Sequence, residues 1–129
     1  AAVATRAAAD PAFGAWPRAN VAAHRAPGYA IVTLTLKSPN AAPGDLTADQ
    51  MDRVADLADR YSLGELRVSH RQNLVFTDVR QRDLPELWTA LRGLGLAEPN
   101  LGMLTDIIAC PGLDYCSLSN ARSISVAQD

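Results

Sequence analysis

Residues 44–76, GDLTADQMDRVADLADRYSLGELRVSHRQNLVF, decide the fold. Thr47-Ala48-Asp49-Gln50 is a capping box: the threonine hydroxyl accepts from the backbone N–H three residues on, and the glutamine reaches back to the threonine N–H. Leu46 and Met51 flank the box as the hydrophobic staple that sets the helix entry. Met51, Val54, Ala55, Ala58 and Tyr61 then recur at three- and four-residue steps, with Asp52, Arg53, Asp56, Asp59 and Arg60 around the other side. The spacing predicts an amphipathic helix closed by Gly64. Beyond it, Leu66 and Val68, then Leu74 and Phe76, alternate with polar residues, which predicts a hairpin turning near Arg71 to Asn73.

Working outward, AIVTLTLK (30–37) alternates Val32, Leu34 and Leu36 with Thr33, Thr35 and Lys37, the period of a half-buried strand, and the turn SPNAAPGD (38–45) follows it. Downstream, Asp83-Leu84-Pro85-Glu86 supplies an N-cap with proline in the first turn and a glutamate placed to reach back. Leu84, Leu87, Trp88 and Leu91 form one face of the helix that follows, and Gly93 and Gly95 end it. The order strand, helix, strand, strand, helix gives the fold class: α+β, a ferredoxin-like β-α-β-β-α sandwich with two helices on one face of an antiparallel sheet.

Residues 1–28 carry alanine, proline and glycine with scattered Phe13, Trp16 and His24 and no sustained period, so they read as an arm or inter-domain linker, with Trp16 pinning it to a neighbouring surface. The sequence starts at Ala1 and stops at Asp129 without a cap or turn signal, as expected of a piece of a longer polypeptide. With 129 residues, 48% hydrophobic content and a net charge of -2, the chain suits one globular domain and has no field to recruit nucleic acid. No apolar run approaches the roughly 20 residues a bilayer crossing needs, which excludes a membrane partner and points to a cytoplasmic protein.

Chemistry concentrates in two places. Cys110-Pro111-Gly112-Leu113-Asp114-Tyr115-Cys116 sets two thiols across a Pro-Gly bend, ahead of a possible helical start at SLSNAR (117–122). Thiolates are the usual ligands of iron–sulfur clusters, and such a bend brings backbone N–H groups close to an electron-rich centre. Two buried cysteines acting as small hydrophobes are the plain alternative. Zinc would need two more ligands, and His24 and His70 stand at no finger spacing.

The second place is the hairpin, where Arg67, Ser69 and Arg71 alternate with Leu66, Val68 and His70 and so project from the helix-free sheet face. With Gln72, Asn73, Thr33 and Thr35 they make a polar, basic stripe able to dock a flat polyanion, or simply a solvated face. His70 falls on the apolar side as a half-buried histidine, and Trp88 as core. No glycine-rich phosphate loop and no nucleophile triad is present, so hydrolase and kinase chemistry lack their parts.

At these residues the chain becomes recognisable. GYAIVTLTLK (28–37), the stretch 44–76 and DIIACPGLDYCSLSNARS (106–123) resemble the sirohaem-dependent nitrite/sulfite reductase haemoprotein family. The resemblance implies the second ferredoxin-like half-domain over 29–100 and the start of the cluster and sirohaem domain over 101–129. In that family a Cys-x5-Cys pair joins a later Cys-x3-Cys pair around a 4Fe-4S cluster coupled to sirohaem, and Cys110 and Cys116 match the first pair. The polar strand Arg67, Ser69, Arg71, Gln72 and Asn73 aligns with the cofactor side.

The same resemblance implies a six-electron reduction of sulfite to sulfide or nitrite to ammonia, fed by a flavoprotein or ferredoxin and acting on an inorganic anion. The Cys-x3-Cys pair and the other half are absent from these residues, so the isolated chain is expected to hold neither cofactor and to be inactive. Two other readings stay open: a non-catalytic ferredoxin-like binding or regulatory module, and a related tetrapyrrole enzyme of cobalamin synthesis.

Overall fold

The computed structural model describes residues 2–39 and 41–129; Ala1 and Asn40, the latter inside the expected turn, lie outside the described residues. The chain runs through α1 (Ala2–Ala9), α2 (Pro11–Asn20), β1 (Val21–Ala23), β2 (Tyr29–Thr35), α3 (Ala48–Tyr61), β3 (Leu66–Val68), β4 (Asn73–Arg80), α4 (Leu84–Gly93) and α5 (Ser123–Gln128). The four strands form one antiparallel sheet in the order β1-β2-β4-β3. The expected α+β ferredoxin-like class is what the chain adopts.

Each central element forms for a local reason visible in the sequence. Thr47 caps α3 with its hydroxyl accepting from the Gln50 N–H at 3.2 Å, while Gln50 Oε1 accepts from the Thr47 N–H at 3.0 Å. At the other end Ala58 O accepts from the N–H groups of Ser62 and Gly64, and Gly64 takes a φ of +75°. Register then sorts the faces: Val32 and Leu34 pair with Phe76 and Leu74, which pair in turn with Leu66 and Val68. The intervening row sets Thr33, Val75 and Arg67 on the opposite side.

The apolar row meets the helices in one core of Val32, Leu34, Phe76 and Val79 with Val54, Ala58, Leu84, Leu87, Trp88 and Leu91. Burial of such side chains, at about 1.5–3 kcal/mol each, is what holds sheet and helices together.

Residues 1–28 correct the expectation of an arm. Asp10 caps α2, its carboxylate accepting from the N–H of Ala12 and Phe13 at 3.1 and 3.3 Å, and Pro11 follows in the first turn. Phe13 and Trp16 are 0% and 1% exposed. Phe13 meets the ring of Trp88 edge-on at 5.4 Å, so Trp16 and Phe13 belong to this core rather than to a neighbour's surface. β1 then adds an edge strand beside β2. The reason no period betrayed α2 is that alanines on both faces leave its apolar side unmarked.

Three smaller expectations also change. Asp83 makes no side-chain cap; a tight turn over Gln81–Asp83 leads into α4, and Glu86 instead accepts from the Tyr61 hydroxyl at 3.2 Å. The last helix starts at Ser123, not within 117–122. His70 is exposed, because the strand ends at Val68 and His70 sits in the turn. Among the described residues no helix is long and apolar enough to cross a membrane.

Candidate cofactor-ligand site

The cysteine loop is closed by its own backbone. A single tight turn over Gly112–Asp114 brings the N–H groups of Tyr115 and Cys116 to the Gly112 carbonyl, at 3.3 and 2.9 Å. Leu113 N–H donates to Ala121 O at 3.0 Å, folding the return segment onto the bend. Gly112 has a φ of +59°, and a Cβ there would lie 2.8 Å from both Ala121 O and the Ser123 nitrogen. Only glycine fits this crossing.

Cys110 is exposed and Cys116 half-buried, and neither is in a disulfide. The Cys110 thiol sits 3.2 Å from the Ser123 hydroxyl. That hydroxyl first, and the Gly112 backbone second, pull Cys110 below the ordinary thiol range, favouring the thiolate that binds metal. Among the described residues no group of three or more His, Cys, Asp or Glu side chains gathers as a metal site. His24 is engaged elsewhere, with Nε2 3.2 Å from Asp78 and Nδ1 accepting from the Ala26 N–H. The soft donors that the loop carries are the thiols of Cys110 and Cys116.

The loop is tied to the sheet by a polar network that sequence reading missed. Lys37, the chain's one lysine, has a side chain 2% exposed. Its Nζ donates to the carbonyls of Arg71 and Gln72 and to Asn73 Oδ1 at 3.0, 3.1 and 2.7 Å, and stands 3.5 Å from Asp106. Burial pushes its pKa below the ordinary lysine value, against the opposing charge and hydrogen bond of Asp106. The buried Asp106 also accepts from Asn73 Nδ2 at 2.9 Å and from the Gly102 N–H at 2.9 Å, and Thr35 donates to Asn100. Segment 100–106 is thereby fastened to the end of the sheet.

The five hairpin residues do not line up as one stripe. Arg67 lies on β3 and is exposed, held by Glu65 at 2.5 Å. Ser69 is in the turn, where its hydroxyl accepts from the N–H groups of Arg71 and Asn73. Arg71, half-exposed, comes no nearer Asp106 than 4.0 Å. Asn73 is 1% exposed and turned to Leu36 N–H, Lys37 and Asp106. Gln72 reaches the cysteine segment: Nε2 donates to Ala109 O at 2.7 Å, and Oε1 accepts from Ala109 N–H at 3.2 Å. Period-two reasoning carried these residues past the end of the strand at Val68.

Met51 and Ala55, expected on the core face of α3, are exposed. They line a largely apolar cavity of about 710 Å³, with Leu66 and Val68 on the edge strand and Cys110 and Tyr115 on the loop.

Comparison with known proteins identifies the half-domain that carries the loop. The profile of the nitrite/sulfite reductase ferredoxin-like half-domain matches residues 24–94. The assimilatory ferredoxin-dependent nitrite reductase of Haloferax mediterranei is 37% identical over 86 residues, covering 60% of this chain and 13% of that protein. The ferredoxin–nitrite reductase of Synechococcus elongatus is 31% identical over 97 residues, 66% of this chain and 17% of its own length. Sulfite reductase (ferredoxin) 2 of Mycolicibacterium paratuberculosis is 33% identical over 75 residues, 58% of this chain and 14% of its own. The matched region thus spans about a sixth of these relatives or less.

Proposed function

The chain belongs to the nitrite/sulfite reductase ferredoxin-like half-domain family, and from that premise we propose that it is the scaffold and half of the cluster site of a reductase for sulfite or nitrite. The observation that carries the reading is a closed loop bearing Cys110 and Cys116, joined directly to a half-domain of this family. Residues 29–100 serve as the half-domain, extended by the helices and edge strand before it, and 101–129 open the cluster domain.

In this reading Cys110 and Cys116 hold two corners of a 4Fe-4S cluster, and further thiolates come from the same polypeptide. Bound beside a sirohaem, such a cluster supplies electrons singly for a six-electron reduction of the anion to sulfide or ammonia. This chain's residues hold and orient. Gly112 lets the bend close, Ser123 and the Gly112 backbone favour the Cys110 thiolate, and the Lys37–Asp106 network fixes the loop's approach. The arginines Arg67 and Arg71 are the charges that the hairpin offers to an anionic macrocycle. The relatives' ferredoxin dependence supports ferredoxin as electron donor.

The test is the complete polypeptide that the gene encodes. Purified without oxygen, it should show sirohaem and iron–sulfur absorbance and consume sulfite or nitrite with reduced methyl viologen. Cys110→Ser and Cys116→Ser should each lose most of the iron. Colourless protein with both cysteines intact would overturn the proposal.

A further inference from the structure

Gln72 occupies a strained position for a reason its side chain supplies. Its φ is +57°, a left-handed conformation that costs a residue with a Cβ about 1–2 kcal/mol and that glycine would take freely. Such strain persists where the surroundings over-determine it, and points from the outlier to a role. The surroundings here are specific. Lys37 Nζ donates to the carbonyls on both sides of the Arg71–Gln72 step. Gly44, itself at φ +92°, presses on the glutamine stem so closely that an added Cβ would lie 3.2 Å from Gln72 Cβ. The neighbouring Asn73 is locked by Leu36, Lys37 and Asp106. A flexible side chain is thereby held in one pose.

In that pose the Gln72 amide does what a neighbouring strand would do. It donates to Ala109 O and accepts from Ala109 N–H, saturating both backbone groups of the residue before Cys110. Fixing the peptide groups on both sides of the Ala109 Cα fixes the direction in which the chain enters Cys110, whose Cα follows about 3.8 Å on. Glutamate could not donate to the carbonyl, and asparagine is a methylene too short. We propose that Gln72 is a positioning residue for Cys110: it transmits the rigid end of the sheet to the thiolate that holds the cluster. This rests on the reading of Cys110 as a cluster ligand.

Two measurements test it. In the 129-residue chain, amide exchange of Ala109 should accelerate about tenfold or more in Gln72→Ala, with Gln72→Glu, which keeps the acceptor alone, falling between. The amides of Thr33 and Val75 in the central strands should stay within about twofold of the parent. In the complete polypeptide, Gln72→Ala should lose iron severalfold faster to a chelator and shift the electron paramagnetic resonance signal of the reduced cluster. Unchanged exchange at Ala109 overturns the proposal. So does acceleration spread equally through the hairpin, the mark of a residue that merely supports the turn. Accelerated exchange with an unchanged cluster signal and iron retention also overturns it. Iron-free parent protein would instead strike the cluster reading itself, and is seen without any Gln72 variant.

Discussion

Phe13→Ala separates a detachable arm from a structural layer of the domain. Phe13 is 0% exposed and packs between Trp16 and the edge of Trp88, at centroid distances of 6.4 and 5.4 Å. Truncating a buried phenylalanine loses its transfer free energy and leaves a cavity, together about 3–5 kcal/mol. At about 0.05–0.15 kcal/mol per residue, 129 residues have about 6–19 kcal/mol in all, so the loss is a large fraction. Urea unfolding followed by tryptophan fluorescence suits the question, because the chain's two tryptophans, Trp16 and Trp88, both lie in this cluster. The midpoint should fall while the slope stays constant. Val126→Ala, at a residue 73% exposed, should change stability by less than about 0.5 kcal/mol. A Phe13→Ala cost under about 1 kcal/mol would refute the reasoning and restore residues 1–28 as a linker.

Lys37→Met should cost about 3–5 kcal/mol in the same assay, because it leaves Asp106 buried without its cation; Lys37→Met combined with Asp106→Leu should recover much of that loss. Gly112→Ala forces a Cβ against Ala121 and Ser123, so the half-buried Cys116 should alkylate several times faster with iodoacetamide than in the parent. Burial raises the Tyr61 pKa above the ordinary value near 10, with Arg60 opposing and Glu86 assisting. Its folded form therefore keeps its proton longer than the unfolded chain. That contribution is fully present below the ordinary pKa and is lost as pH climbs through the raised one. Between about pH 9.5 and 11 the parent should lose more stability than Tyr61→Phe, as read by urea midpoints at each pH.

Legibility in the sequence followed locality. The capping box at Thr47 and Gln50, the alternation in β2 and the face Leu84, Leu87, Trp88, Leu91 are set by neighbours a few positions apart, and all three stand in the structure. In α2 the buried residues are Phe13, Gly14, Trp16 and Asn20. A glycine and an asparagine on the inner face, among alanines that suit either side, erase the hydrophobic period on which a helix is recognised. The stripe from Arg67 to Asn73 failed differently. Alternation is a property of extended chain, and the strand stops at Val68, with Gln72 at positive φ in the turn beyond it.

The sheet end shows why the site was only half legible. Cys110 and Cys116 announce themselves by residue type and spacing, but what fastens their loop is a set of contacts between residues distant in sequence: Lys37 with Asp106, Thr35 with Asn100, Gln72 with Ala109. Each partner alone has an innocent reading, a lysine ending a strand or a glutamine in a turn. Together they bury an ion pair, which costs several kcal/mol of desolvation per charge and contributes little net stability. What such a network supplies is a single arrangement, since any displaced loop would leave Lys37 and Asp106 buried and unpaired. Lys37→Met with Asp106→Leu should therefore leave a stable fold whose loop has more than one seat, seen as broadened or doubled amide resonances over 100–110. One sharp set of resonances there would assign the loop's placement to Gln72 alone.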